Sequence, residues 1–177
     1  LTSYDVVDTA LSLLLKEAGG VIRADLVDLM GALKDRAMEH RHTPMVGRSH
    51  GIHAEPITFG LKLAIYYDEI RRHLTRWDAV LETIAVGKVS GAVGTYSNID
   101  PVVEAHVGAA LGLQPVPATQ VIARDRHAEF LWACAAVGST MELIAVELRH
   151  LQRTEVSEVQ EGFTAGQRGS SAMTHKR

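Results

Sequence analysis

The stretch VVDTALSLLLKEAGGVIRADLVDLMGALKDRAMEH, residues 6–40, decides the fold. Within it Val7, Leu11, Leu14, Ala18, Ile22, Leu26, Leu29, Leu33 and Ala37 recur at three- and four-residue steps, which places them on one face of an α-helix. Gly19-Gly20 interrupts the run, but the phase continues on its far side. A second run, Thr58 to Lys88, repeats the pattern with Leu63, Tyr67, Ile70, Leu74, Trp77, Leu81 and Ile84. As a helix it would extend roughly 45 Å. A third, Asp125 to Gln160, carries Phe130, Cys134, Val137, Met141, Ile144, Leu148, Leu151 and Val159. Asp100 and Pro101 have the residue types of an N-cap and first helical position, so Pro101 to Leu111 is expected to form a short helix. The segments Arg41 to Pro56, Ser90 to Asn98 and Leu113 to Ile122 are punctuated by Gly and Pro and read as loops. No stretch alternates as a half-buried strand would. The expectation is an all-α protein, a bundle of helices too long for a compact monomer, with apolar faces that continue into a shared oligomeric bundle.

Composition narrows the functions. The net charge is −3, and no Lys/Arg block stands out, which argues against a nucleic-acid partner. The single Cys134 leaves no disulfide framework, fits a reducing compartment, and sits among Phe130, Leu131 and Trp132 as a buried inert thiol would. No leader opens the chain, and the apolar run Phe130 to Val146 is shorter than the ~20 residues of a membrane span. A cytoplasmic protein with no membrane partner is expected. The chain starts at Leu1 and stops at Arg177 in a Gly/Ser-rich stretch, so it is expected to be one domain of something larger.

Four segments hold polar residues that packing does not require. Thr2-Ser3-Tyr4-Asp5 precedes the first helix, and reads either as a cap or as an anion site at a helix N-terminus. Gly47 to Pro56 holds His50 and His53 with Arg48 and Glu55. A histidine there suits a general acid at neutral pH. A metal reading lacks an HExxH pattern or a Cys partner, and His53 also reads as structural. Thr119 to Glu129 crowds Gln120, Arg124, Asp125, Arg126, His127 and Glu129 ahead of the third long helix, where Asp125 reads as its cap. Gly169 to Arg177 places Ser170 and Ser171 beside glycine, with Lys176 six residues after Ser170, which suits either a linker or a loop that closes over an anionic substrate.

Together these segments resemble the fumarase/aspartase superfamily. Gly169-Ser170-Ser171-Ala172-Met173-Thr174-His175-Lys176 resembles its signature loop G-S-S-x-M-x-x-K; Thr2-Ser3-Tyr4-Asp5 and the loop ending in His50 resemble its other two blocks, in order. Within the superfamily, Arg48-Ser49-His50-Gly51-Ile52-His53-Ala54-Glu55-Pro56 resembles the branch that acts on adenylosuccinate. Fumarases, aspartases and argininosuccinate lyases usually have Leu-Gln after that histidine. Tyr4 replaces the usual Ser or Asn, and Thr174 the usual Pro.

The resemblance implies a β-elimination that releases fumarate, with Ser170 as base and His50 as acid. It further implies that Lys176 and Ser171 hold a substrate carboxylate, that Thr2 and Ser3 contact the succinyl or phosphate end, and that Gln120 positions the succinyl group. It implies no cofactor and no metal. It places residues 1–177 in the central helical-bundle domain, with a mobile loop over 162–177, and implies a homotetramer whose subunits share each active site. Two alternatives are another superfamily lyase, such as argininosuccinate lyase, and a catalytically silent helical scaffold.

Overall fold

The computed structural model describes residues 1–167 and 169–173. Its elements run α1 (Ser3–Glu39), β1 (Pro44–Ser49), β2 (Ile52–Thr58), α2 (Phe59–Ile84), β3 (Val86–Gly87), α3 (Pro101–Leu111), β4 (Gln114–Pro115) and α4 (Asp125–Leu151). Helix dominates, as the periodicity requires. The three long helices lie side by side, α2 between α1 and α4.

Contacts along α1 and α2 show that they are antiparallel. Gly60 N–H donates to the His40 carbonyl at 3.0 Å at one end, the Trp77 indole N–H to the Gly19 carbonyl at 2.8 Å midway, and Thr9 meets the Lys88 backbone at the other end. Helix α4 runs antiparallel to α2, with Lys62 paired to Glu147 and Trp77 packed on Phe130 at 5.6 Å between ring centroids. The core is the seam of α2: Ile70, Leu74, Trp77, Val80 and Ile84 are buried against Leu26 and Leu33 of α1 and Phe130 and Ala133 of α4. Gly19 has a specific task there. A Cβ at that position would collide with Leu81 and crowd Phe130, so the helix approaches α2 closely where its carbonyl takes the indole proton.

Several sequence expectations change. The loop Arg41 to Pro56 is a β-hairpin, β1 against β2 in antiparallel register with Ser49 opposite Ile52 and an irregularity between Val46 and Arg48. The alternation was hidden because β2 is almost wholly exposed and carries no apolar face to read. Helix α2 stops at Ile84 rather than Lys88, and Val86-Gly87 instead pairs in parallel with Gln114-Pro115. Helix α4 stops at Leu151 rather than Gln160; the chain turns back so that the Glu158 and Val159 N–H groups both reach the Leu151 carbonyl. Thr154, Val156 and Ser157 are weak helix formers, and Glu158 is drawn instead to Arg48. Arg124, not Asp125, occupies the N-cap position of α4.

The face of α1 also departs from expectation in its first half. Val7, Leu11 and Leu14 point outward, and the buried positions are Asp5, Asp8, Thr9 and Ser12. On α4, Leu131 and Trp132 are 65% and 55% exposed. Helix α4 spans 27 residues and is long and apolar enough to cross a membrane by length and composition, more than the run Phe130 to Val146 had suggested. Cys134 is half-buried beside the core, and burial pushes its thiol up from the ordinary value.

A polar contact between α2 and α4 makes stability depend on pH. The Thr140 hydroxyl donates to Glu69 at 2.6 Å, so the His73 Nε2–H donates to the Thr140 oxygen at 2.8 Å. Burial, with Arg76 and Arg72 nearby, lowers the His73 pKa below its ordinary 6.5 against the opposing pull of Glu69. Burial and Arg124 likewise lower His127. A depressed histidine stabilises the fold above its unfolded pKa, and that contribution is lost as pH falls from about 6.5 through the folded value. The urea midpoint should therefore be lower at pH 5.5 than at pH 7.5, and a His73→Gln variant should show a shallower dependence between them.

Candidate active site

The six described candidate residues lie on different parts of the chain. Thr2 is the N-cap of α1 and Ser3 its first residue. The Asp5 N–H donates to the Thr2 carbonyl at 3.1 Å, and the Asp5 carboxylate accepts the Thr2 N–H at 2.9 Å, so the capping role is real. Ser3 is exposed and Thr2 half-buried.

Gln120 lies at this same end. Two residues after it, the Ile122 N–H donates to the buried Asp8 carboxylate at 2.7 Å, and the Arg124 guanidinium donates to the other Asp8 oxygen at 2.8 Å. One carboxylate on α1 thus pins the strand of chain that carries Gln120. The glycine-rich stretch after α2 fills the gap between. A Cβ at Gly94 would collide with the Ala118 carbonyl, and Gly94 has φ +77°, so glycine is needed on both counts. Glu104 of α3 anchors the same stretch by accepting the Val89 N–H at 2.6 Å and the Tyr96 phenol at 2.5 Å. That bond to Glu104 raises the Tyr96 pKa.

His50 sits at the opposite end of the bundle, on the tip of the hairpin. With φ +54° at His50 and +76° at Gly51, the two-residue turn has the positive-φ pair of a type I′ hairpin, the twist that matches flanking strands. The imidazole is exposed. Behind it, Arg48 donates to both oxygens of Glu158 at 2.9 and 2.6 Å, tying the hairpin to the chain that follows α4. The bond from Arg48 holds the Glu158 carboxyl below its usual range, and His53 adds to that. An open cavity of about 810 Å³ lies beside the hairpin, lined by Leu29, Leu33, Met45 and Phe59 among others; none of the six described candidates lines it.

Ser170 and Ser171 lie in the irregular chain beyond α4, Ser171 exposed. The Ser170 Oγ accepts the Ala172 N–H at 3.4 Å and the Met173 N–H at 3.3 Å. Lys176 lies outside the described residues. Among the described residues no group of three or more His, Cys, Asp or Glu side chains is gathered as a metal would need.

So the structure brings Thr2, Ser3 and Gln120 to one end and holds His50 at the other. Helix α1 alone, at 37 residues, separates them by roughly 55 Å. Sequence reading missed Asp8, Lys88 and Glu104, which together with Arg124 hold the first end in place. One signal was available: Asp5, Asp8, Thr9 and Ser12 repeat at helical steps, a polar face in phase with the core.

The chain belongs to the lyase family, whose pattern matches residues 1–177. It is 53% identical over 178 residues to the adenylosuccinate lyase of Bacillus subtilis (strain 168) and 57% identical to that of Synechocystis sp. (strain ATCC 27184 / PCC 6803 / Kazusa). Each comparison covers 100% of this chain and 41% of the relative, so the chain spans about two fifths of those proteins. Among solved structures, 3-carboxy-cis,cis-muconate lactonizing enzyme from Pseudomonas putida superposes with TM-score 0.88 at 33% identity, over 99% of this chain and 40% of that one. A fumarate lyase from Mesorhizobium sp. BNC1 superposes at 0.82 with 31% identity, over 88% and 37%.

The hairpin turn gives a direct test. Gly51→Val forces a β-branched residue to φ +76° and should destabilise the protein by about 1–2 kcal/mol, whereas Gly51→Asn should be nearly neutral. Comparing urea midpoints of the two variants checks this.

Proposed function

We propose that this chain is the central helical-bundle domain of an adenylosuccinate lyase, which cleaves adenylosuccinate to AMP and fumarate and also acts on the succinylated carboxamide intermediate of purine synthesis. The observation that carries this reading is identity of 53–57% across the whole chain to adenylosuccinate lyases. The candidate acid, base and substrate contacts stand at the matching motif positions.

In this reading Ser170 removes a proton from the carbon beside a substrate carboxylate, and the electron pair moves into that carboxylate as an aci-carboxylate dianion. The pair then returns to form the C=C bond of fumarate as the C–N bond breaks, and His50 protonates the departing nitrogen. A serine hydroxyl is a weak base in water, so the alkoxide must be stabilised. The two backbone N–H groups on the Ser170 Oγ supply part of that, because a hydrogen bond to the charged form favours it. Lys176 and Ser171 add positive charge and a donor around the substrate carboxylate. Thr2, Ser3 and Gln120 bind the rest of the substrate. No cofactor enters. Residues 162–167 and 169–173 close over the bound substrate; residues 168 and 174–177 of the expected loop lie outside the described residues.

The separation of the two helix ends supports a site shared between subunits. One copy cannot place its own His50 beside its own Thr2, Ser3 and Gln120, so a second copy must bring the hairpin tip to them. The outward apolar residues of α1 and α4, among them Val6, Leu14, Val21 and Trp132, supply the surface for such an assembly, a homotetramer. A helix as apolar as α4 then packs on neighbouring subunits, and the protein is cytoplasmic.

Three measurements test this. In the full-length enzyme, His50→Ala should lower kcat for adenylosuccinate cleavage by at least ~100-fold, followed by ultraviolet absorbance, with His53→Ala costing less. Ser170→Ala should abolish elimination but still bind adenylosuccinate in a calorimeter; near-normal turnover would move the base to Ser171. Light scattering should show a tetramer at micromolar concentration, and a monodisperse monomer would sink the shared-site arrangement.

A further inference from the structure

A cation and an anion are buried together at the Thr2 end, and packing alone does not call for them. Lys88 is 0% exposed and Asp5 2%. The Lys88 ammonium donates to Asp5 Oδ1 at 2.6 Å and to the Gly91 carbonyl at 2.5 Å. The other Asp5 oxygen accepts the Thr2 N–H at 2.9 Å and the Gly91 N–H at 3.2 Å. The Thr9 hydroxyl seats Lys88 from behind, meeting its N–H and its carbonyl, each at 3.1 Å. A buried pair of this kind adds little net stability over an apolar pair of the same volume, because both ions lose their hydration. What it does add is geometry. One carboxylate takes donors from three places: the Thr2 backbone, the Lys88 side chain and the Gly91 backbone.

We infer that Lys88 and Asp5 are positioning residues for substrate binding: they lock the Thr2-Ser3 turn to the glycine-rich stretch 88–94, which in turn abuts the segment carrying Gln120. The inference rests on the reading that Thr2 and Ser3 contact substrate. Neither Lys88 nor Asp5 needs to touch it. The brace has contacts on both sides, since Asp5 holds Gly91 on one and Gly94 packs without a Cβ on the Ala118 carbonyl on the other. If the pair is removed, the Thr2 N–H and the Gly91 N–H lose their shared charged acceptor, and Thr2-Ser3 and Gln120 drift relative to each other. Burial tends to raise the Asp5 pKa, yet the bonds from Lys88, Thr2 and Gly91 outweigh it and hold the carboxyl below its usual range, so it stays charged at working pH.

The test is a double-mutant cycle in the full-length enzyme. One side removes the hydroxyls, Thr2→Ala with Ser3→Ala. The other neutralises the pair together, Asp5→Asn with Lys88→Met, so that no lone charge is left buried. Both sides should raise KM for adenylosuccinate by about tenfold, the size of one hydrogen bond to a charged group, with kcat within about twofold. Combining them should raise KM no further than either alone, because the pair acts through the turn. A pair change that leaves KM untouched, or that multiplies its full factor onto the hydroxyl variant, overturns the inference. So does a loss of active tetramer with KM unchanged in what remains, the mark of a merely structural role. Should the hydroxyl variant itself leave KM unchanged, the substrate-contact reading of Thr2 and Ser3 fails, and the inference fails with it. Where the neutralised pair does not assemble, Thr9→Val takes its place in the cycle, withdrawing the hydroxyl that seats Lys88 without altering charge. It should raise KM less, and lose that effect in the hydroxyl background; an unchanged KM or an undiminished effect overturns the inference equally.

Discussion

An α-helix rises 1.5 Å per residue and does not fold back, and that rigidity governs this molecule. Helix α1 runs without a break from Ser3 to Glu39, so its two ends are held apart by its own hydrogen bonds. Helix α2 lies along it, and α4 lies along the far side of α2. Every connection then emerges at one end of the bundle or the other. The hairpin with His50 caps one end; the Thr2-Ser3 turn, the glycine-rich stretch and the Gln120 segment gather at the other. In the proposed function, that separation is the reason a second copy is needed to bring the hairpin tip to the Thr2 end.

The distribution of polarity follows the same logic. In a self-sufficient globule, the buried face of α1 would be apolar along its whole length. Here it is apolar from Leu26 to Ala37, where it meets α2, and polar from Asp5 to Ser12, where it meets loops. Those loops expose backbone N–H groups that must be satisfied when buried, and carboxylates at helical spacing are well suited to accept them. Asp8 takes the Ile122 N–H, Asp5 the Gly91 N–H and Glu104 the Val89 N–H. Charged groups inside therefore serve as fasteners for irregular chain. Meanwhile Val7, Leu11 and Leu14 face outward and stay exposed among the described residues.

The helices were legible because their signal is local and repeated. Asp100 and Pro101 marked the start of α3 correctly, since capping chemistry depends only on near neighbours. The hairpin was not legible, because an exposed strand has no apolar face to alternate with a polar one. The end of α4 was misplaced for a related reason. Leu151 and Val159 keep helical phase, but the partner that pulls the chain out of the helix, Arg48, lies 110 residues away from Glu158.

Within the candidate site, the residue types and their order were readable: His50 between glycines, Ser170-Ser171 ahead of Lys176, Thr2-Ser3 before a helix. These are one-dimensional facts, and as ordered motifs they resemble those of the fumarase/aspartase superfamily; it is that resemblance which pointed at a lyase. Only the tertiary structure decided where those groups stand. It placed His50 on a left-handed turn at one end of the rod and Thr2 at the other, and it revealed Lys88 and Asp5, 83 positions apart, as a buried pair. The physical reason is that hydrogen-bond chemistry belongs to each side chain, whereas burial and proximity belong to the packing of helices, which no single segment encodes.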